Sequence, residues 1–283
     1  MNFSKPASSD LTLLIGKNPK NIPIYITEKS LYQNILITGG IGTGKTASAM
    51  YPFTKQLIHY MSDDSQKKLG FLILDVKGNY YSKVLEFARN SNRLDDVIVI
   101  ELNGKYTYNP LDKPNIKASI LANRLKNILL LFSPNNSESF WLDKAEQVIE
   151  NLITFCRIYN NKYVTFEELH KLVINKQYYY SKLSDVRKIF LSGKLNNSEI
   201  YDLLSSITFL EKDYFTLDDR TFNLLKSEIT RITNCFVSDY EILHTFCPSK
   251  YKENFYGFEE AIQKGKIVVL NLNIGKYRNI SKI

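Results

Sequence analysis

Residues 34–46 read Asn-Ile-Leu-Ile-Thr-Gly-Gly-Ile-Gly-Thr-Gly-Lys-Thr, and this stretch decides the fold. Its second part, Gly39–Thr46, fits the pattern G-x-x-x-x-G-K-[ST], in which glycines let backbone N–H groups turn inward around a phosphate. The apolar run at 34–38 predicts a buried strand that enters this loop, and an amphipathic helix is expected to leave it. Strand, glycine loop and helix in this order favour a phosphate-binding loop over a glycine-rich turn without a ligand.

The side chains of the loop predict what it binds. The Lys45 ammonium is expected to bridge the β- and γ-phosphates of a nucleoside triphosphate, as the catalytic cation of the site. The Thr46 hydroxyl is expected to coordinate Mg²⁺. We therefore predict a site for a purine nucleoside triphosphate with Mg²⁺, formed by Gly39, Gly40, Ile41, Gly42, Thr43, Gly44, Lys45, Thr46 and Ala47.

Outward from the loop, short apolar runs alternate with helical stretches, the pattern of a parallel α/β sheet. LTLLIG and IPIYIT precede the loop as an edge hairpin or two short strands. A helix is expected from Lys45 to His59, with a kink or break near residue 51, because Pro52 removes a backbone hydrogen bond. Another helix is expected over 80–89. Further buried strands are predicted at 71–75 (FLILD), 97–102 (VIVIEL) and 267–272 (IVVLNL).

Between these strands lies a long region with helical rather than strand periodicity. Apolar residues repeat at helical spacing over 139–158, and further helices are predicted at 177–191, 196–211 and 220–235. Thr165 and Glu168 have the spacing of a capping box that opens another helix. We therefore predict a RecA-like P-loop NTPase domain with a parallel sheet, formed by 1–112 and 262–283, and an inserted all-α domain at 113–261.

Composition limits the class of protein. A chain of 283 residues with 44% hydrophobic residues can bury a sizeable core, which argues against disordered and fibrous classes. No run reaches the roughly 18 apolar residues of a membrane helix, so we expect a cytoplasmic chain without a transmembrane segment. The three cysteines are odd in number and widely spaced, which predicts buried thiols and no structural metal site. The net charge of +8 favours polyanionic partners only weakly.

Two common classes of phosphate-loop protein fit poorly. Asp75 ends an apolar strand like an aspartate that holds Mg²⁺ through water, and with Gly78 it also has the D-x-x-G spacing of GTPases. No N-K-x-D motif for the guanine base is present, because Asn175-Lys176 is followed by Gln177 and Tyr178. A small-molecule kinase would need clustered arginines in a lid, and those of the helical region are scattered. We therefore expect no small-molecule acceptor substrate.

The order of motifs resembles a known family. GGIGTGKT is followed by FLILDVKGNYY, by YNPLD at 108–112, by SFWLDKAEQVIENL at 139–152 and by GFEEAIQKGKIVVLNLNIGKY at 257–277. Together these segments resemble the type IV coupling proteins, hexameric ATPases of conjugative transfer and type IV secretion that are related to the FtsK and HerA DNA translocases. The resemblance covers nearly the whole chain from about residue 12, and the segments after the glycine loop make it selective.

The resemblance carries implications for the site. Asp75, Lys77 and Gly78 match the family's "DPKGE"-like segment beside the active site, while Val76 and Asn79 depart from its proline and glutamate. The family's Walker B strand, which ends in Asp-Glu, follows the strand that matches IVVLNL, and this chain stops at Ile283, about where that unit would begin. The family's amino-terminal membrane helices have no counterpart either. We therefore expect a truncated coupling ATPase that binds ATP weakly and hydrolyses little, because the glutamate that orients water is missing.

The resemblance also implies partners. They are DNA, expected to be single-stranded and delivered with a relaxase, sister subunits of a homo-hexamer, and an inner-membrane secretion channel at whose cytoplasmic face the protein would act. Two alternatives stay open. One is a nucleotide-binding regulatory or adaptor domain that does not hydrolyse ATP, and the other is a soluble DNA translocase like FtsK or HerA.

Overall fold

The computed structural model of the chain describes residues 10–132 and 139–273. They form two compact units. The α/β unit comprises the described parts of Met1–Ile100 and Phe258–Gly275, and the helical unit comprises the described part of Glu101–Gly257. The architecture is a RecA-like α/β fold with a helical insertion, which confirms the predicted fold class. The parts of the predicted α/β domain at 1–9 and 274–283 lie outside the described residues.

The amino-terminal part of the α/β unit alternates strands and helices. Its first two strands pair as an antiparallel hairpin, which is the first of the two predicted arrangements. A π-helical turn, Thr46–Met50, follows the glycine loop, and a 3-10 turn, Leu94–Asp96, precedes the fourth strand. The strands and helices are β1 (Thr12–Lys17), β2 (Pro23–Thr27), α1 (Glu28–Leu31), α2 (Tyr51–His59), β3 (Phe71–Asp75), α3 (Tyr81–Asn90) and β4 (Val97–Glu101).

The helical unit contains the predicted helices and two that were not predicted from the sequence, α4 and α10. Thr165 caps α6 by accepting a hydrogen bond from the Glu168 N–H, as the capping pattern predicts. A π-helical turn, Leu210–Tyr214, extends α8. The helices are α4 (Ala118–Phe132), α5 (Ser139–Tyr159), α6 (Phe166–Ile174), α7 (Lys176–Leu191), α8 (Asn197–Phe209), α9 (Asp219–Val237) and α10 (Tyr240–Phe246).

The chain then returns to the α/β unit through α11 (Phe258–Gln263) and β5 (Ile267–Asn271). β5 is the central strand of a three-stranded sheet with the order β3-β5-β4. It pairs in parallel with β3, so that Phe71 lies opposite Ile267 and Asp75 lies opposite Asn271. The residue that ends β3 therefore meets the carboxyl end of the central strand, the edge at which open α/β sheets commonly bind ligands.

The core of the α/β unit lies on one face of this sheet. Alternate residues of the three strands, including Ile267 and Val269, pack against α2 and α3. The helices contribute Ile58, Val84 and Phe87, the residues that recur at helical spacing on one side of each helix. This apolar layer holds both helices on the same face of the sheet.

The predicted strand at 34–38 is wrong. The structure has no regular secondary structure there, and the side chains of Ile35 and Leu36 are 43% and 86% exposed. Within the described residues, no strand pairs with this segment. An apolar run forms a strand only where a neighbouring strand satisfies its backbone N–H and C=O groups, and composition alone does not supply that neighbour.

The predicted helix at 45–59 is confirmed, together with the disturbance caused by Pro52. The N–H of Tyr51 donates to the carbonyl of Thr46 five residues earlier, so the helix begins with a wide π turn and continues as α2. Pro52 follows this π turn directly, inside the continuous helix, where it has no N–H to donate to a preceding carbonyl. The helix therefore changes pitch at residue 51 without breaking.

Cys156, Cys235 and Cys247 are buried free thiols, as predicted. Burial raises the pKa of Cys156 and of Cys247 to about 12, which makes both poor nucleophiles near neutral pH. Across residues 10–132 and 139–273, every helix is too short or too polar to span a bilayer.

Candidate functional site

The glycine loop adopts a conformation that depends on glycine. Gly42 and Gly44 have φ angles of +79° and +82°, in the left-handed region that residues with a Cβ rarely enter. The loop then passes directly into the helix, and the N–H of Ser48 donates to the carbonyl of Gly44 at 2.7 Å. The glycines therefore make the turn that delivers Lys45 and Thr46 to the first turn of a helix.

Lys45 folds back across the loop. Its Nζ donates to the carbonyl oxygens of Gly39 and Gly40, each at 2.7 Å. The Thr43 hydroxyl also donates to the Gly40 carbonyl, at 2.9 Å. Lys45, the only cation of the loop, is thus held by two neutral carbonyl oxygens. Because phosphate oxygens carry negative charge, they are stronger acceptors for the same ammonium group.

The predicted Mg²⁺ ligand lies at the start of the helix. Thr46 and Ala47 are exposed at the first helical positions, where backbone N–H groups lack intrahelical acceptors and the helix dipole favours negative charge. Among the residues that the structure describes, the Thr46 hydroxyl makes no hydrogen bond. The oxygen is therefore accessible to a metal ion that a bound phosphate would bring.

Asp75 holds the loop that follows β3. Its side chain is 3% exposed, and its carboxylate accepts hydrogen bonds from three backbone N–H groups. Oδ1 accepts from Gly78 at 2.9 Å, and Oδ2 accepts from Tyr80 at 2.7 Å and from Tyr81 at 2.9 Å. Because both oxygens are engaged by the backbone at the start of α3, the carboxylate organises a loop and is poorly placed to hold Mg²⁺.

Asp75→Ala is expected to loosen this loop, because the variant leaves three N–H groups without their acceptor. Losing a helix-capping carboxylate costs about 1–2 kcal/mol, and the buried position favours the upper end. Amide hydrogen exchange over residues 76–84 should accelerate by roughly tenfold or more. Asp75→Asn, which retains one carboxamide oxygen, should give an intermediate effect. Unchanged exchange in Asp75→Ala would show that the carboxylate does not hold the loop.

The remaining residues of this segment take different positions. Gly78 has a φ angle of +72°, and a Cβ there would lie 3.0 Å from Nδ2 of Asn273, so the loop passes close to the end of β5. Lys77 is exposed and, within the described residues, makes no hydrogen bond or ion pair. The segment 75–78 therefore presents one unengaged cation at the carboxyl edge of the sheet.

Tyr80 links this segment to the helix that leaves the glycine loop. Its hydroxyl lies 2.7 Å from the Thr54 hydroxyl of α2, and its ring centroid lies 5.1 Å from that of Tyr51. Burial raises the pKa of Tyr80, so the phenol stays neutral. The structure thus brings the 75–80 segment against α2, although it gives no direct contact between Asp75 and Lys45.

A buried ionic cluster that the sequence did not predict lies at the opposite, amino edge of the sheet. Arg93 is 1% exposed and donates through Nε to Asp96 at 3.2 Å. Its Nη atoms donate to the carbonyls of Ile58, Leu69 and Gly265. Lys68 and Lys266 also donate to Asp96, at 2.7 and 3.0 Å. Burial alone would raise the pKa of Asp96, but these three cations outweigh it and lower the pKa.

The N-P-L-D segment organises the helical unit. Asn109 is fully buried: its N–H donates to Glu253 at 3.0 Å, its Nδ2 donates to the Val164 carbonyl at 2.8 Å, and its Oδ1 accepts from the Leu111 N–H at 3.0 Å. Burial raises the pKa of Glu253 to about 7, and the nearby Asp112 acts in the same direction. The N-P-L-D motif therefore has a structural role in the helical unit, because Asn109 forms hydrogen bonds with polar groups that are buried there.

The fold and these segments define the class, a RecA-like α/β protein with an inserted helical unit. Residues 20–186 match the family model described as the type IV secretion-system coupling protein DNA-binding domain. Because this match spans more than half of the 283 residues, the chain belongs to the type IV coupling protein family. The resemblance seen in the motifs is thereby confirmed. A search of the curated proteins finds no match to the chain.

Proposed function

We propose that the protein is the ATP-binding subunit of a coupling protein that drives transfer of single-stranded DNA or nucleoprotein in conjugation or type IV secretion. The glycine loop carries this proposal. Left-handed glycines deliver Lys45 and Thr46 to a helix start, which is the arrangement that binds the phosphates and Mg²⁺ of a nucleotide. Family membership supports the coupling role and DNA as a partner.

The proposal includes the assembly in which such a subunit works. Its partners are sister subunits in a homo-hexamer, a relaxase bound to the transferred DNA, and an inner-membrane channel whose cytoplasmic face the protein meets. The basic balance of the chain, with a net charge of +8, supports a polyanionic partner. A soluble translocase like FtsK or HerA would share the nucleotide and DNA sites, and binding to a relaxase in a pull-down distinguishes the coupling protein from it.

A second candidate is a nucleotide-binding adaptor that does not hydrolyse ATP. The hydrogen bonds of Asp75 favour this candidate, because its carboxylate is engaged by three backbone N–H groups. If Asp75 is not free to orient the attacking water, an adaptor of this kind is expected to bind ATP with Mg²⁺ and to turn it over slowly. Rapid turnover that depends on Lys45 would exclude the adaptor.

Lys45→Ala is expected to weaken ATP binding by roughly tenfold or more, because a charge-assisted hydrogen bond to phosphate contributes about 1.5–3 kcal/mol. Equilibrium binding of a fluorescent ATP analogue to the full chain, with and without Mg²⁺, measures the change. Lys55→Ala is the matched control, since Lys55 is an exposed lysine of α2 that lies ten residues after Lys45. Equal binding by the wild type and Lys45→Ala would contradict the nucleotide site.

A further inference from the structure

One residue, Tyr80, joins the loop after β3 to the helix that leaves the glycine loop. Its N–H donates to Asp75 at 2.7 Å, and its carbonyl accepts the N–H groups of Lys83 and Val84 at 3.0 and 3.2 Å, so that α3 begins here. Its hydroxyl lies 2.7 Å from the Thr54 hydroxyl of α2. Tyr80 therefore contacts the Asp75 carboxylate, the start of α3 and the side of α2 at once.

The contacts of Tyr80 with α2 are largely shielded from water. Tyr80 is 9% exposed, and its ring centroid lies 5.1 Å from that of Tyr51, which in turn meets the Phe87 ring at 6.2 Å. All three rings belong to the apolar layer between the helices and the sheet. Because Tyr80 is buried, a displaced α2 would leave its hydroxyl without a partner. We call its contacts with Thr54 and Tyr51 the Tyr80 link.

The phosphate-binding residues lie at the start of the same helix. Thr54 follows Thr46 by eight residues, which is about 12 Å along a helix. The π turn at 46–50 lies between them, and Tyr51 closes it by donating its N–H to the Thr46 carbonyl. Wide turns of this kind are frequent at functional sites. A change in the turn therefore reaches Tyr80 through the residue that both closes the turn and packs against the Tyr80 ring.

Phosphate binding is expected to change this turn. Lys45 donates to the carbonyls of Gly39 and Gly40, and these hydrogen bonds must break before its ammonium can reach a phosphate. The Thr46 hydroxyl would at the same time turn toward Mg²⁺. Lys45 directly precedes the π turn and Thr46 is its first residue, so both changes act on the turn itself.

We propose that Tyr80 is a positioning residue, which makes the order of the 75–80 segment depend on phosphate binding at the glycine loop. The assignment rests on the proposed function, in which that loop binds ATP. It adds a consequence of binding, because the stiffened segment carries Lys77, an exposed cation at the carboxyl edge of the sheet. Every step from the π turn to Asp75 is a direct contact within the α/β unit.

Amide hydrogen exchange of the full chain, with and without a non-hydrolysable ATP analogue and Mg²⁺ at saturation, tests the Tyr80 link. In the wild type, exchange over residues 76–84 should slow by at least about fivefold when the analogue binds, which is the contribution of one ordinary hydrogen bond. Tyr80→Phe and Thr54→Val each lack one hydroxyl and should lose most of this slowing while still binding the analogue. Thr54→Ser keeps the hydroxyl and should behave like the wild type.

The ratio of the exchange rates without and with the analogue separates coupling from stability. A residue that only stabilises the segment changes both rates by the same factor and leaves the ratio unchanged, whereas loss of the Tyr80 link brings the ratio toward one. Tyr81→Phe is the matched control, because the Tyr81 hydroxyl makes no hydrogen bond among the residues that the structure describes. Lys77→Gln should also keep the ratio of the wild type, since the link does not pass through the Lys77 charge.

Three results would overturn the Tyr80 link and leave the proposed function intact. The first is a ratio near one in a wild type that binds the analogue. The second is an unchanged ratio in both Tyr80→Phe and Thr54→Val. The third is a ratio that is lost in Lys77→Gln but kept in Tyr80→Phe, because the cation would then order the segment by meeting the nucleotide directly. Failure of the wild type to bind the analogue would contradict the proposed function itself.

Discussion

Arg93→Met will destabilise the sheet of the α/β unit by about 3 kcal/mol, the largest effect that we expect from a single substitution. The variant removes the donors that three backbone carbonyls share, at the end of α2 and just before β3 and β5. Water cannot replace them, since the guanidinium is 1% exposed. Asp96 keeps Lys68 and Lys266, so the main loss is the unsatisfied carbonyls and not an unpaired carboxylate.

Amide hydrogen exchange by mass spectrometry measures this effect within one unit. Peptides covering β3 and β5 should exchange roughly a hundredfold faster in Arg93→Met than in the wild type. Arg89→Met is the matched control, because Arg89 is an exposed arginine in the last turn of α3 and its removal changes the net charge equally. Similar protection of β3 and β5 in both variants would show that the cluster contributes little.

The regular elements of the α/β unit were predictable because their signals are local. Continuous apolar runs gave β3, β4 and β5, and the proline at residue 52 marked the change of pitch in the helix after the glycine loop. The apolar run at 34–38 carried the same local signal and forms no strand. Strand formation also depends on a hydrogen-bonding neighbour, which is set by long-range pairing that single-sequence patterns do not contain.

The same distinction between local and long-range signals applies to the residues of the candidate site. The glycine loop and Lys45 could be found because their spacing is fixed by the backbone of one short turn. The capping role of Asp75 is also local, since an aspartate three residues before a glycine commonly bonds the backbone that follows. By contrast, Arg93 meets a carbonyl 172 residues away, and Asn109 meets a carboxylate 144 residues away. Such contacts exist only after the chain has folded.

The second large effect is a pH dependence of the stability of the helical unit, which we attribute to Glu253, the hydrogen-bond partner of Asn109. The side chain is 4% exposed; Oε1 accepts the Asn109 N–H, while Oε2 has no hydrogen-bond partner among the described residues. Burial, together with the negative charge of nearby Asp112, raises the pKa of this carboxyl to about 7. Tyr108 and Tyr163, which also lie close to it, remain neutral because burial raises the pKa of both phenols.

The sign of the pH dependence follows from this raised pKa. Below the ordinary glutamate pKa of about 4.3, the Glu253 carboxyl is protonated in both the folded and the unfolded state and does not change the free energy of unfolding with pH. As the pH rises toward 7, the unfolded chain releases the proton while the folded protein retains it, so the free energy of unfolding falls. A difference of one proton corresponds to a slope of about 1.4 kcal/mol per pH unit.

Glu253→Gln is expected to remove this slope, because the amide resembles the protonated acid and still offers an oxygen to the Asn109 N–H. Urea unfolding between pH 4.5 and 7, followed by the fluorescence of Trp141, reports on the helical unit, since this is the only tryptophan and lies in α5. His170 acts with the opposite sign, because burial lowers its pKa, but its contribution is common to both proteins and cancels in their difference. The exposed Glu259→Gln should keep the slope of the wild type. If the Glu253→Gln variant shows the same slope as the wild type, the Glu253 carboxyl is ionised throughout this pH range, and the helical unit holds a buried charge.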